Sequence, residues 1–445
     1  MSTDLISIAR SGATAARIAL DLTAQNIANA ATEGYVRRSA RLAELAPASG
    51  PGQVDEVSFS GVRFAGITRN ADVYRQAEVR RTGSDAARAD AEVAGLTDIE
   101  AAVEQSGLYP ALVQFEASLG QLAADPVNPS LRTAVLESAR TLTRMFGIAA
   151  QGLGAAAAAL QAEAAAGTDQ VNQLAQQLTR VNVQLVRSQP GTADQVSLLD
   201  QRDALLKNLS GLTDITATLA ANQSVEVRIG GASGPQLVSA AIASPLALTS
   251  AADGTISFTL GTAAVTPAAG SLAGHAQGLV LARDTRVQLD TIANALISSA
   301  NTAQTSGAAL DGSAGQLLFS GTGAAGIALA LTSGNGLATA PAGSPANSRD
   351  PANLTALRSA LVSADVSGQT NMLLFNISSA AQGRQLTSDA LDAIAGAAKL
   401  ALDNQSGVNL DDEAVNLVRY QQAFQASSRA IQIASDLFDT LLAIR

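Results

Sequence analysis

The chain has 445 residues, a net charge of −10, no Cys, no Trp and one His, and an apolar content of 47% beside only 3% aromatics. This excludes a disulfide framework and a His- or Cys-rich metal centre, and the acidic balance argues against a nucleic-acid partner, which needs a basic stripe. Ala dominates the apolar fraction, and Ala both favours helix and lets helices approach closely. The first residues lack the basic head and continuous apolar run of a cleavable signal peptide. No stretch reads as long and apolar enough to cross a bilayer; the run Ala155–Ala166 is broken by Gln161 and Glu163.

In chain order, Asp4 to Ala30 is helical in pattern. Leu5, Ile8, Gly12, Ala15, Ala19 and Leu22 recur in steps of three and four, a heptad seam of small residues. It stops at Glu33-Gly34-Tyr35, where Gly34 suits a left-handed turn. Residues 36–65 alternate and carry Pro47, Gly50, Pro51 and Gly52, so they read as an extended arm or loose hairpin. Helix resumes near Ala71 and runs with breaks to Gly120. Asn128-Pro129 is a helix start, the Asn as cap and the Pro in the first helical position. The helix that follows reaches Arg187, with a bend expected between Gly147 and Gly154, and Pro190-Gly191 ends it. A shorter helix spans Asp194–Leu209.

Residues 213–268 change texture, with alternation in Ser224–Ile229 and Thr255–Leu260 that predicts hairpin strands. Helix returns over Ser271–Asn301. Residues 307–350 are rich in Gly, Ala and Ser, with a strand expected at Ile327–Leu331. Helices follow at Leu354–Ser363 and Gln369–Asp403. In the last segment apolar residues fall every seven places at Leu410, Leu417, Phe424, Ile431 and Phe438. A companion line runs through Ala414, Gln421, Ser428, Ser435 and Leu442. This predicts a coiled-coil strand. A second stripe, Ala430, Ala434, Leu437 and Leu441, gives the helix another apolar face and so another neighbour.

Three features invite a chemical reading. Gly321-Thr-Gly323-Ala-Ala-Gly326 matches a dinucleotide-binding fingerprint, but the residues after it read as a strand, where the chemistry needs a helix N-terminus facing the pyrophosphate. Asp200 and Asp203 lie three apart beside Arg202, the pattern of an ion-paired or solvated helix face rather than an acid–base pair. His275 has no nucleophile motif near it and sits near the start of the Ser271 helix. No catalytic, cofactor or metal residue is assigned. The rival classes are an enzyme with a nucleotide at Gly321 and a secreted binding module built on the 213–268 strands.

Several separated segments carry a resemblance. Leu22-Thr-Ala-Gln-Asn26-Ile-Ala-Asn29-Ala-Ala-Thr-Glu-Gly34-Tyr35 resembles the N-terminal signature of the flagellar axial family, the rod, hook and hook-associated proteins. Members often have Pro where this chain has Glu33. Gly407-Val-Asn-Leu-Asp-Asp-Glu413 through Tyr420 and Phe424 is similar to the matching C-terminal signature. Asp125-Pro-Val-Asn128-Pro-Ser-Leu-Arg132, Asp200-Gln-Arg-Asp203-Ala-Leu-Leu206, Gly270-Ser-Leu-Ala-Gly274 and Ala308-Ala-Leu310-Asp-Gly312 resemble the hook–filament junction branch. The third hook-associated protein and flagellin share the plan but are less similar around Asp200. Members usually insert outer β domains after Leu317–Phe319, where this chain has only a short stretch.

The resemblance implies a mainly α fold with a smaller β part. Its N- and C-terminal helices pair as a coiled coil that continues into an elongated helical bundle, with β hairpins added. The implied domains are 1–65 with 405–445 lining the inner tube; 66–212 with 271–318 and 351–404 as helical bundle; 213–270 as β hairpins; and 319–350 as a surface loop or hairpin in place of the outer domain. The implied role is a non-enzymatic structural subunit, secreted unfolded by flagellar type III export and placed in the extracellular flagellum. The implied assembly residues are Leu5, Ile8, Ala15, Leu22, Asn26, Asn29, Gly34, Tyr35, Leu410, Leu417, Phe424, Ile431, Phe438 and Leu442. The implied partners are copies of itself in a ring, hook protein, the third hook-associated protein, and an export chaperone at Leu417, Phe424 and Ile431; no nucleic acid and no membrane insertion are implied.

Overall fold

The computed structural model describes residues 2–32, 34–44 and 61–443. Helix α1 (Ser2–Ala28) leads into an antiparallel hairpin of β1 (Arg38–Glu44) and β2 (Val62–Arg69). Four helices follow: α2 (Val73–Glu104), α3 (Leu108–Ala124), α4 (Pro129–Arg187) and α5 (Ala193–Leu212). The strands β3 (Ile215–Leu219), β4 (Val225–Ile229), β5 (Gln236–Ser239) and β6 (Ile242–Ala243) form one sheet in that order. A second sheet holds β7 (Leu246–Ser250), β8 (Ile256–Leu260) and β9 (Ala263–Val265). After α6 (Ser271–Thr305) come β10 (Gly307–Ala308), β11 (Phe319–Ser320), α7 (Gly323–Gly326), β12 (Ala328–Leu329) and β13 (Ala340–Pro341); β10 pairs with β13 and β11 with β12. Helices α8 (Ala352–Ser363), α9 (Val366–Ser406) and α10 (Leu410–Ala443) complete the mainly α fold.

Local chemistry fixes these elements. The Asn128 side-chain oxygen accepts from the backbone N–H groups of Ser130 and Leu131, so α4 starts where its cap is written. That helix then runs unbroken through Gly147 and Gly154; the expected bend is not a break in the helix. Thr192 caps α5 by accepting from the Gln195 N–H. In β4 the alternation holds: Val225, Val227 and Ile229 are buried, while Glu226 and Arg228 are not.

The chain divides into two compact units, with boundaries inside α2, α4 and α9. The first comprises residues 1–84, 171–245 and 392–445. It holds the terminal helices, the hairpin, α5 and the β3–β6 sheet. Asn182, buried on α4, donates to the carbonyls of Val225 and Ala240 and accepts from the Val225 N–H, which fixes helix to sheet. The hairpin meets the α4–α5 loop backbone to backbone: the Ile67 N–H donates to Gly191, and a Cβ on Gly66 would lie 3.1 Å from the Gly191 Cα. Only Gly fits such an approach.

The second unit comprises residues 85–170 and 246–391. Its core joins Ile99 of α2, Leu112 and Phe115 of α3, Leu142 and Phe146 of α4, Leu289 and Leu296 of α6, Leu357 of α8 and Leu373 of α9. Each such buried side chain contributes about 1.5–3 kcal/mol.

Three expectations are corrected here. Residues 319–350, expected as a surface loop or hairpin, hold the short β11–β12 pair and contribute to the core up to Leu337, while most of 342–350 is exposed. Phe319, Ala324, Ile327, Leu331 and Leu337 belong to the core, and Phe319 packs edge-on to Phe115 with ring centroids 6.0 Å apart. The backbone there is anchored by Arg132, which is 1% exposed. Its guanidinium donates to the carbonyls of Pro126, Gly334 and Leu337 and to the Thr339 hydroxyl. The strand-rich 213–270 region holds two separate sheets, the first in one unit and the second in the other. One helix, α4, is after all long and apolar enough to cross a membrane by length and composition. The cause is its Ala content; Leu142, Phe146, Leu153 and Leu160 on it are buried inside the protein.

Candidate assembly interface

In the first unit α1 packs antiparallel on α10. Gly12 faces Ser427, and beyond the end of α1 the Arg37 guanidinium reaches Glu413 at 2.6 Å. Small residues make the approach close. Ala9, Ala15, Ala16, Ala19 and Leu22 are buried on α1, and a Cβ on Gly12 would lie 3.1 Å from the Ser427 hydroxyl oxygen. Of the expected seam on α1, Ala15 and Leu22 are buried, Ile8 is half-buried and Leu5 is exposed.

On α10 the period-seven line is present but shallow. Leu417 and Ile431 are half-buried, Phe424 and Phe438 stand at the edge, and Leu410 is exposed. The Leu442 side chain lies outside the described residues. The companion line is displaced by one residue. Glu413, Tyr420, Ser427 and Ala434 turn inward, while Ala414, Gln421 and Ser435 are exposed; of the expected line only Ser428 is half-buried, as Ser427 is. The spacing is still three and four, because 413, 417, 420, 424, 427, 431 and 434 share one side of the helix. Ala434, expected on the second stripe, belongs to this seam. Glu413 was invisible as a seam residue because it is charged; it is 1% exposed, and Arg37 neutralises it.

Among the described residues nothing covers a second apolar face of α10. Val415, Val418, Ile433 and Leu437 are all at least half exposed, on the side away from the seam. The second face was legible through Leu437, but not through the other three.

The N-terminal signature closes the chain reversal after α1. Asn26 is buried and makes three bonds: its amide donates to the Arg38 carbonyl, and its oxygen accepts from the Arg38 N–H and from the Tyr35 hydroxyl. Gly34 has φ +79°, the left-handed turn expected of it. The Arg38 guanidinium lies 4.8 Å from the Tyr35 ring centroid. Asn29 makes only local bonds, donating to the Gln25 carbonyl and accepting from the Thr32 hydroxyl.

Asp200 and Asp203 are ion-paired and largely shielded from solvent, and two of their three arginine partners come from the hairpin. Arg38 and Arg69 each sit 2.7 Å from Asp200, and Arg69 and Arg202 bind Asp203 at 2.8 and 2.7 Å. Burial raises the Asp203 carboxyl, but Arg202 and Arg69 outweigh it and hold it below the usual range. For Asp200, burial wins over Arg69 and Arg38 and pushes it up. The network clamps the hairpin to α5 and offers no free acid or base.

The other candidates carry no chemistry. A helix does follow the Gly321 loop, contrary to expectation, but α7 is a single turn. Its leading N–H groups are already taken, Gly323 by Asn294 and Ala324 by the Asp290 carboxylate. An acidic side chain stands where a pyrophosphate would bind. His275 is buried on α6, 3.4 Å from Glu163, and burial holds it below its ordinary value against the weaker pull of Glu163. Among the described residues no three His, Cys, Asp or Glu side chains cluster to hold a metal.

Comparison with known proteins gives concordant matches. The family described as "Flagellar hook-associated protein FlgK helical domain" matches residues 95–319, just over half of the chain. "Flagella basal body rod protein" matches residues 6–35 and "Flagellar basal body rod FlgEFG protein C-terminal" residues 402–444. Flagellar hook-associated protein 1 of Bacillus subtilis is 28% identical over 217 residues, 47% of this chain and 43% of the relative. The Escherichia coli protein of that name is 27% identical over 330 residues, 71% of this chain and 59% of the relative. The match thus spans less than two thirds of either relative. Among solved structures, the flagellar hook junction protein FlgK from Burkholderia pseudomallei aligns with a TM-score of 0.44 at 21% identity, covering 54% of this chain and 46% of that one.

Proposed function

Because the chain belongs to the flagellar hook-associated protein FlgK family, we propose that it is a structural subunit of the junction between flagellar hook and filament, joined to its neighbours through its terminal helices. The observation that carries this reading is α10. It buries one face on α1 and leaves Val415, Val418, Ile433 and Leu437 uncovered on the other. A helix with two apolar faces is suited to two neighbours, and a single chain supplies one.

In this reading copies form a ring, with hook protein on one side and the third hook-associated protein on the other. The chain leaves the cell unfolded by the flagellar export route, and an export chaperone covers Leu417, Phe424 and Ile431 beforehand. It acts outside the cell and catalyses nothing; its charged clusters are spent on holding the fold. The test is the double variant Ile433→Asp, Leu437→Asp in a strain lacking the native gene. Both side chains are exposed, so the monomer's unfolding midpoint stays within the range of ordinary surface changes, about 0.5 kcal/mol. The expected phenotype is hooks without filaments, with the variant exported. Filament growth equal to that of the unaltered chain refutes the reading.

A further inference from the structure

We propose that the cavity beside Gly34 and Tyr35 receives a carboxylate side chain from a second copy of this chain, bound by the unpaired guanidinium of Arg80. The proposal rests on the self-assembly reading above and names one contact within it. The cavity, of about 280 Å³, opens in the first unit between the turn after α1, the start of α2, α5 and the end of α9. Gln76, Arg80, Lys207 and Asp403 are among its lining residues.

The charges around it are unevenly matched. Asp203 has both oxygens occupied: Arg202 donates to one, and Arg69 and Gln76 to the other. Asp200 is held by Arg38 and Arg69. Asp203 thus has no oxygen to spare for Arg80, and no ion pair joins Asp200 to Arg80. Asp403 is exposed on the cavity wall, and no ion pair joins it to Arg80. Arg80 is half-buried and makes no hydrogen bond or ion pair with any described residue. A guanidinium offers five N–H donors in a fixed fork, and removing them from bulk water is unfavourable until an acceptor arrives. Burial pushes the Arg80 guanidinium below its ordinary value, against the weaker pull of the nearby Asp203.

The surroundings favour an anion from a like chain. An adjoining cavity shares Gly34, Tyr35, Asp403 and Gly407 with the first and adds Lys399 to its lining. Lys207 and Lys399, the only two lysines in the sequence, line this pair of cavities but are already engaged, which leaves Arg80 as the cation to be met. The chain as a whole carries 38 acidic against 28 basic residues, so the surface of a neighbouring copy offers carboxylates in excess. A planar carboxylate matches the guanidinium fork with two parallel hydrogen bonds. The cavity has room for a side chain and not for a folded element.

The scarcity of lysine makes the test clean. In Arg80→Lys an amine replaces the guanidinium, and a water-soluble carbodiimide joins an amine only to a carboxylate in contact with it. The full-length Arg80→Lys chain is expressed in a strain lacking the native gene, and hook-junction particles are isolated and treated. The expected product is a two-copy adduct, twice 44.8 kDa. Peptide mapping should place the link between position 80 of one chain and an Asp or Glu of another, distinct from any link through Lys207 or Lys399, and it should be absent from treated monomer. In parallel, Arg80→Glu monomer should unfold at the unaltered midpoint and be exported, yet enter particles at least tenfold less. Assembled Arg80→Lys particles without the adduct overturn the proposal, as does linkage to a different polypeptide or to Asp403 of the same chain. Normal incorporation of Arg80→Glu also overturns it. Failure of the unaltered chain to reach the hook tip sinks the assembly reading and this contact with it, whereas failure confined to these variants' readouts sinks the contact alone.

Discussion

Replacing Arg132 with Met should unfold the second unit selectively. The guanidinium is 1% exposed and has no carboxylate partner among the described residues; three carbonyls and one hydroxyl satisfy it at 2.6, 3.2, 2.8 and 2.7 Å. Met retains much of the packing volume and removes every donor. Four charge-assisted bonds at about 1.5–3 kcal/mol each set an upper bound, since such terms are not additive. Removing a buried cation also relieves its own desolvation cost, so the net loss falls near the range for breaking a buried charged site, about 3–5 kcal/mol. A chain with two compact units need not unfold in one step, so the assay is hydrogen exchange by peptide. Peptides covering 126–139 and 331–341 should lose protection by that amount, while those covering 215–229 in the first unit stay unchanged. The control is Arg140→Met, an exposed arginine paired with an exposed Glu137, which should cost less than about 1 kcal/mol. A loss below about 1 kcal/mol at Arg132 would refute the claim that three carbonyls and the Thr339 hydroxyl hold this charge and that the 319–350 stretch depends on it.

Three further outcomes are expected. Asn26→Ala strands the Arg38 backbone groups and the Tyr35 hydroxyl, and should cost the first unit about 2–3 kcal/mol by urea unfolding followed at Tyr35; a change within 0.5 kcal/mol, roughly the noise of surface substitutions, would contradict it. Because burial depresses His275, the unfolded chain takes up its proton first, so stability should fall as pH drops below about 6.5 and level off below the folded value. His275→Gln should flatten that part of the midpoint-against-pH curve, and an unchanged slope counts against the assignment. Titration with NAD should give no saturable heat, since Asp290 occupies the α7 N-terminus; micromolar binding lost in Gly323→Val would reverse that reading.

How much of this was legible depended on what carried the signal. Helix starts written in caps, such as Asn128-Pro129, could be placed to the residue, and so could the alternation of β4. The large residues of the α10 seam, Leu417, Phe424 and Ile431, set its period but not its partner line. At 413 against 414, 420 against 421, and 427 against 428, the choice lay among Glu, Ala, Tyr, Gln and Ser, which differ little in apolar pattern. Only the neighbouring helix decides it. The core role of residues 319–350 was hidden for another reason. A stretch rich in Gly and Ala looks like a surface loop, yet its few apolar side chains, Phe319, Ile327, Leu331 and Leu337, fill the core while Arg132 and Asn353 satisfy its backbone. The Asp200–Asp203 clamp was half legible: the acids were visible, but their partners Arg38 and Arg69 lie over 130 positions away.

The pairing of α1 with α10 also bears on the order in which the molecule comes together. The Arg37–Glu413 bridge joins residues 376 positions apart, whereas Asn26 finds Arg38 only 12 positions away. Contacts between distant residues form slowly, because the intervening chain must first be brought to heel by its own local structure. The turn at Asn26 and the helices of the second unit are therefore early events, and the α1–α10 seam is late. Until it closes, α1 presents a row of alanines that only another helix can cover. The rate at which the two ends meet thus sets how long each molecule remains open to a foreign helix, and slowing that step should favour misassembly even where the finished fold is unaltered.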